Sequence, residues 1–278
     1  MRQLVAAVVL AAAVIMAEPA AALPGLQVAT TTTVGPDASG IHTAVASCPA
    51  GTQLTGGGAR LSTPGRVRLE AVSPDGGGQS TFAAGIGNGN TLTTSLTSYA
   101  ICASAMSGYE IVQVEDRPPA GASMAAATAT CPAGKRVIGA GGNSAGKPSY
   151  VLDGIWISPD LTSVFVRTLR TADATPGTAP FARAFAVCIH PVPGQQRVMA
   201  STAFAQGNTK SISVSCPAGT RLHGLGGMLG GGAGSVGLAS LQPIGPASTG
   251  GASVTASVLR FFGYNGFWRV EVYGVCAP

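Results

Sequence analysis

The chain carries little charge. Lysine and arginine number 16, aspartate and glutamate 11, and only 10% of the 278 residues are charged. The basic residues stand singly, with Arg66 and Arg68 the nearest thing to a cluster. A nucleic-acid surface needs a basic stripe with interleaved aromatics, so the net charge of +5 points to no nucleic acid, although it suits anionic cell-wall polymers. Aromatic residues make up only 5%. Helical periodicity is absent beyond the first 22 residues, and no later apolar run reaches about 18 residues, so no membrane span is expected. The three histidines, His42, His190 and His223, show neither H-x-H nor i,i+4 spacing. That argues against a metal site and for surface or turn positions, and nothing calls for a cofactor.

The N-terminus reads as an address. Arg2 gives a short positive region, Leu4 to Ala17 an apolar run of 14 residues, and Ala20-Ala21-Ala22 a small-residue cleavage site. This is the pattern of a secretory signal peptide spanning residues 1–22, and it predicts a secreted, extracellular product.

Glycine and short β-branched runs are abundant: 40 residues are glycine, and Val, Ile, Thr and Ala alternate in short stretches, which predicts many short strands. Cys-Pro-Ala-Gly occurs three times, at Cys48, Cys131 and Cys216, and a second cysteine closes each copy at Cys102, Cys188 and Cys276. A period near 84 residues means one structural unit built three times. The units are placed at 26–103, 109–189 and 197–277, with no flexible linker between them. The two cysteines of each unit lie 54, 57 and 60 residues apart, which predicts the bridges Cys48–Cys102, Cys131–Cys188 and Cys216–Cys276. An oxidising compartment favours them.

Six residues after each first cysteine stands an apolar residue: Leu54, Val137, Leu222. Eight and ten residues after it stand glycines: Gly56 and Gly58, Gly139 and Gly141, Gly224 and Gly226. Glycine inside a strand marks close backbone approach or a bulge. The stripe is expected to lie against an aromatic ring or the pseudo-threefold axis. Cys-Pro-Ala-Gly reads as a turn, with Pro second and Gly fourth. Before the second cysteines stand Tyr99, Phe185 and Tyr273, read as core-facing aromatics.

The fold class is therefore all-β with a pseudo-threefold repeat, β-prism-like; three tandem small β-sandwiches are the alternative. With Cys-Pro-x-Gly followed by glycines at Cys48, Cys131 and Cys216, and with its threefold repeat, the chain resembles the vitelline membrane outer layer protein family. The resemblance implies a secreted, disulfide-rich, threefold β-prism, and it carries over no functional residue.

Gly142-Asn143-Ser144-Ala145-Gly146 matches G-x-S-x-G, with Asp173 and His190 following in hydrolase order. The nucleophile elbow needs a strand-to-helix turn, and no helix is expected there. Gly232 to Gly237 matches a dinucleotide fingerprint but lacks the βαβ context. Glu70, Asp153 and Glu271 lie in expected strands, and nothing in the sequence pairs them for glycosidase chemistry.

One stretch breaks the repeat: Phe261-Phe262-Gly263-Tyr264-Asn265-Gly266-Phe267-Trp268, where the other units carry no aromatics. Asn-Gly between such residues predicts a hairpin with a type I′ turn. Phe262, Tyr264, Phe267 and Arg269 would then share one face and bind a ligand. The expectation is an exported, non-catalytic binding protein, lectin-like, for an extracellular glycan or cell-wall polymer. A structural protein with a secreted protein partner and a secreted hydrolase are the alternatives.

Overall fold

The computed structural model describes residues 23–87, 92–145, 149–171, 174, 177–245, 250–259 and 263–278. These residues form 18 β-strands and, among them, no helix. The first six strands are β1 (Gln27–Val34), β2 (Ile41–Ser47), β3 (Thr52–Leu61), β4 (Val67–Pro74), β5 (Ser80–Gly87) and β6 (Ser95–Ser104). The next six are β7 (Glu110–Asp116), β8 (Met124–Thr130), β9 (Arg136–Asn143), β10 (Tyr150–Ile157), β11 (Ser163–Arg170) and β12 (Ala182–Ile189). The last six are β13 (Gln196–Ser201), β14 (Thr209–Ser215), β15 (Arg221–Gly231), β16 (Val236–Ile244), β17 (Gly251–Val258) and β18 (Trp268–Ala277).

Three six-stranded sheets form the walls of a pseudo-threefold prism. The first sheet has the order β1-β6-β3-β16-β17-β14, the second β2-β5-β4-β9-β12-β7 and the third β13-β18-β15-β10-β11-β8. Each sheet thus takes three strands from one six-strand set and three from another. Tandem sandwiches would keep each set to itself, so the prism is the architecture. At mid-sheet the two halves touch only briefly; β4 and β9, for example, are in register at two positions, Ala71↔Asn143 and Val72↔Gly142.

The glycine stripe explains how the halves approach. The three glycines eight residues after the first cysteines meet at the axis. A Cβ on Gly56 would lie 2.8 Å from Gly224 Cα, one on Gly224 2.6 Å from Gly139 Cα, and one on Gly139 3.0 Å from Gly56 Cα. The glycines two residues on sit beside aromatic residues of the neighbouring strand, Gly58↔Tyr99, Gly141↔Phe185 and Gly226↔Tyr273. Cross-strand aromatics cover the bare backbone that glycine leaves. Both expected neighbours of the stripe, ring and axis, are present. Phe185 and Tyr273 are buried and Tyr99 is half-buried, but they stand on the outer faces of the sheets, beside Arg183, Glu271 and Thr97, rather than facing the core as expected.

Between the apolar residue and the first glycine of each stripe the register slips by one, at Thr55, Ile138 and His223. A second slip falls at Glu70, Asp153 and Ala239. Such bulges bend a strand and raise its twist. The Cys-Pro-Ala-Gly turn lies one residue later than the composition suggests. Thr52, Lys135 and Thr220 donate their amides to Pro49, Pro132 and Pro217, at 3.1, 3.0 and 3.0 Å. Glycine is then the third turn residue, with φ of +81°, +81° and +79° at Gly51, Gly134 and Gly219, where a left-handed backbone excludes most side chains.

One apolar cluster fills the prism and draws on all three sheets, through Leu69, Leu96, Val164, Val166, Leu225 and Val254. Burying each of these contributes roughly 1.5–3 kcal/mol. At the vertices the sheets come close, and alanine suffices: Ala125, Ala127 and Ala129 of β8 all face inward. The disulfides staple the vertices. Cys48, after β2 of the second sheet, is bonded to Cys102 in the first; Cys131, after β8 of the third, to Cys188 in the second; Cys216, after β14 of the first, to Cys276 in the third. Sheet edges are covered there too: Thr33 Oγ1 donates to Thr43 O at 2.6 Å, and Ala126 N to Asp116 Oδ2 at 2.8 Å.

Candidate functional site

The aromatic stretch of the third unit is not a two-residue hairpin. β17 lies in the first sheet and β18 in the third, so the two strands that flank this stretch are not hairpin partners. Phe262 lies outside the described residues. Tyr264 is half-buried; its hydroxyl donates to Phe267 O at 3.3 Å and accepts from Gly232 N at 3.3 Å. Gly266 lies under its ring, where a Cβ would collide. Phe267 is 56% exposed, and Phe204, 55% exposed, stands close by across Gly231. Arg269 is turned away from this group: it lies over Gly230 and pairs with Glu271 at 2.7 Å. Trp268 takes no part in this group. It is fully buried, donates Nε1–H to Gly207 O at 2.8 Å, and has the Lys210 ammonium 5.0 Å from its ring.

Tyr264 and Asn265 instead form one wall of a cleft of about 300 Å³. Asn208, Thr209 and Ser257 line it from the edge of the first sheet, and Pro64 from the β3–β4 turn of the first unit. Thr209 Oγ1 and Ser257 Oγ lie 3.0 Å apart. No charged side chain lines this cleft among the described residues. Sequence reasoning named Tyr264 but missed Asn208, Thr209, Ser257 and Pro64. They reach the cleft only because the first sheet is shared by the first and third units. The one local hint was Asn265 beside Tyr264.

The hydrolase residues do not converge. Ser144 is fully buried just beyond β9, where its amide donates to Glu70 O at 2.9 Å and its hydroxyl to the Glu70 carboxyl. Asn143 is paired with Arg183 at one end of the β9–β12 ladder; Ile189 and Arg136 are paired at the other. Ser144 and His190 therefore sit at opposite ends, roughly 26 Å apart at strand rise. His190 is exposed and bonds Ser107 Oγ through Nδ1 at 3.1 Å. Asp173 lies outside the described residues. The Gly232–Gly237 stretch is a strand-to-strand turn closed by Ser235 N donating to Gly232 O at 2.7 Å.

The carboxylates each face an arginine. Glu70 pairs with Arg68 at 2.7 Å, Asp153 accepts from Arg167 Nε at 2.7 Å, and Glu271 pairs with Arg269. Burial pushes Glu70 up to about 7 and Asp153 up to about 6, against the pull of their arginines. Glu70 and Asp153 occupy the same bulge position in two different sheets. Asp75 and Asp160 sit in turns and cap backbone amides, Gln79 N at 2.7 Å and Thr162 N at 3.2 Å. His42 and His223 are fully buried, against the expectation of surface or turn positions, because their strand faces point inward. Burial lowers the His223 pKa to about 4. No group of three or more His, Cys, Asp or Glu side chains gathers to hold a metal among the described residues.

No protein-family model matches the chain, and no curated protein matches it. Among solved structures, a chain from "Life in the extremes: atomic structure of Sulfolobus Turreted Icosahedral Virus" is similar at 11% identity, over 93% of this chain and 85% of that one. Its TM-score of 0.19 is too low to carry an argument.

Proposed function

We propose that the chain is an exported, non-catalytic binding protein that takes a glycan in the Tyr264 cleft. The observation that carries this is the make-up of the cleft. One tyrosine ring stands beside the hydroxyls of Thr209 and Ser257 and the amides of Asn208 and Asn265, with no charged lining residue among the described residues. A sugar ring presents C–H groups that pack on the negative face of an aromatic ring. Its hydroxyls need neutral donors and acceptors such as these. The three disulfides and the leader-like segment fit an extracellular site of action. Among the described residues no helix is long and apolar enough to cross a membrane.

The test is a binding screen against insoluble polysaccharides and cell walls, with the Tyr264→Ala, Phe267→Ala double variant alongside. Saturable binding lost in the variant supports the reading; no binding by the parent protein overturns it for those polymers. A protein partner is the second reading, favoured by the exposed pair Phe204 and Phe267 beside the cleft. Aromatics of this kind anchor protein interfaces. Capture of a secreted protein that sugars do not displace, lost on Phe204→Ala, would favour it.

A further inference from the structure

The three walls of the prism are alike in backbone and unlike in surface. Register follows one row of residues across each outer face. In the third sheet the row passes from Tyr273 over Gly226 to Trp156, and Trp156 is paired with Phe165. At the positions of Trp156 and Phe165 the first sheet has Gln242 and Ser253, and the second has Ser73 and Phe82. Arg197, paired with Val275, corresponds to Val28, paired with Ile101, and to Ile111, paired with Val187. Only the third sheet combines an arginine with two adjacent aromatic rings at these positions.

The arginine also has no ion-pair partner within contact distance among the described residues, although the charge of Glu271 acts on it from farther off. Its guanidinium carbon lies 4.6 Å from the Tyr273 ring centroid and 5.7 Å from that of Trp156. Nη2 donates to Met199 Sδ at 3.4 Å, while Nε is buried without a hydrogen-bond partner. No carboxylate among the described residues pairs with it, whereas Arg269 and Arg167 on the same wall are matched by Glu271 and Asp153. A guanidinium stacked on rings uses its face and leaves its N–H edge for a carboxylate fork. On the other side of Trp156 lies a hollow of about 330 Å³, lined by Trp156, Phe165, Met228, Thr128 and Ser163. Trp156, Phe165 and Met228 are half-buried.

We propose that the outer face of the third sheet is a second binding site, for a carboxylate-bearing sugar ring of an acidic polysaccharide. One ring packs on Trp156 and Phe165, its hydroxyls meet Thr128 and Ser163, and the carboxylate of the adjoining ring of the polymer, across Trp156, takes the free edge of Arg197. A hollow of this size is at the lower end for small-molecule sites and suits one ring. A neutral glycan would leave Arg197 without an ion-pair partner in contact, and the net charge of +5 favours an anionic polymer. This site shares no lining residue with the Tyr264 cleft and does not depend on it.

The chain has two tryptophans, and Trp268 is fully buried beside the Tyr264 cleft, so a ligand-dependent change in tryptophan fluorescence that persists in Tyr264→Ala reports Trp156. The oxidised protein would be titrated with an oligogalacturonate trimer, its methyl ester, a neutral maltotriose and benzoate. The expected result is a saturable response to the acid trimer, weaker by about tenfold for the ester and in Arg197→Gln, as loss of one charge-assisted hydrogen bond implies. Tyr264→Ala should leave that response unchanged. No saturable response in the parent protein overturns the site, and equal binding of acid and ester overturns the role of Arg197. Benzoate binding as tightly as the trimer overturns the sugar assignment. If melting shows that Arg197→Gln is unfolded, Phe165→Leu, which keeps the guanidinium, decides: unchanged binding there overturns the proposal.

Discussion

Replacing Gly139 by alanine should be among the most damaging single-methyl changes available to this protein. The added Cβ would strike the Thr55 carbonyl and lie 3.0 Å from Gly56 Cα, both backbone atoms of another unit. Neither can swing aside as a flexible side chain would. Overpacking of this kind costs typically about 1–3 kcal/mol, and a backbone clash belongs at the upper end. Gly139 does not have a positive φ, so alanine also restricts the unfolded chain and returns about 0.4–1 kcal/mol. The net loss is about 2–3 kcal/mol. With urea slopes of about 1–3 kcal/mol per molar, the midpoint should fall by about 1 M. Gly76→Ala is the matched control: its Cβ would meet nothing within 4 Å, and its φ is not positive. That variant should be neutral or slightly stabilised. Urea unfolding of the two oxidised variants, followed by circular dichroism, tests the argument. Coincident midpoints would refute convergence of the three units at the axis.

His223 should make stability fall on acidification. Its folded pKa of about 4 lies below the ordinary 6.5, so the unfolded chain takes up the proton first; stability present above pH 6.5 is lost as pH falls toward 4, by about 3 kcal/mol. Glu70 and Asp153 act in the opposite sense, losing their contribution as pH rises through about 7 and about 6. The group is therefore isolated by subtracting the stability–pH curve of His223→Leu from that of the parent protein, and a flat difference would refute its titration. Removing one vertex staple with Cys131→Ser and Cys188→Ser should cost about 4 kcal/mol from loop entropy, read from denaturant midpoints of the oxidised proteins. Loss of glycan binding in Tyr264→Ala, Phe267→Ala and loss of acidic-sugar binding in Arg197→Gln complete the set.

What the sequence made legible was whatever repeats locally. The Cys-Pro-Ala-Gly turns, the glycine stripe and the cysteine pairing recur at fixed offsets, so three copies support one another. Sharing of sheets between units left no such trace, since β4 and β9 are joined by two register pairs and the contact is backbone to backbone. The Asn265-Gly266 pair misled for the same reason. A type I′ turn needs both flanks in one sheet, and β17 and β18 belong to different ones. His42 and His223 were misplaced because polarity alone does not tell which strand face points inward. The row of Tyr273, Trp156 and Phe165 was invisible because its members come from two units and meet only across a shared wall.

That sharing also bears on how such a protein can change over generations. In an open solenoid a unit can be gained or lost, since each one leans only on its neighbours. Here each unit leaves two half-walls unfinished, and the third closes back on the first. A chain with one unit fewer or more would face a different closure angle at every vertex, so copy number is locked by geometry. Diversification must then proceed by substitution within fixed walls. The contrast between the hydroxyl-bearing first wall and the aromatic third wall is what three copies look like once each is free to drift on its outer face while its glycines are held at the axis.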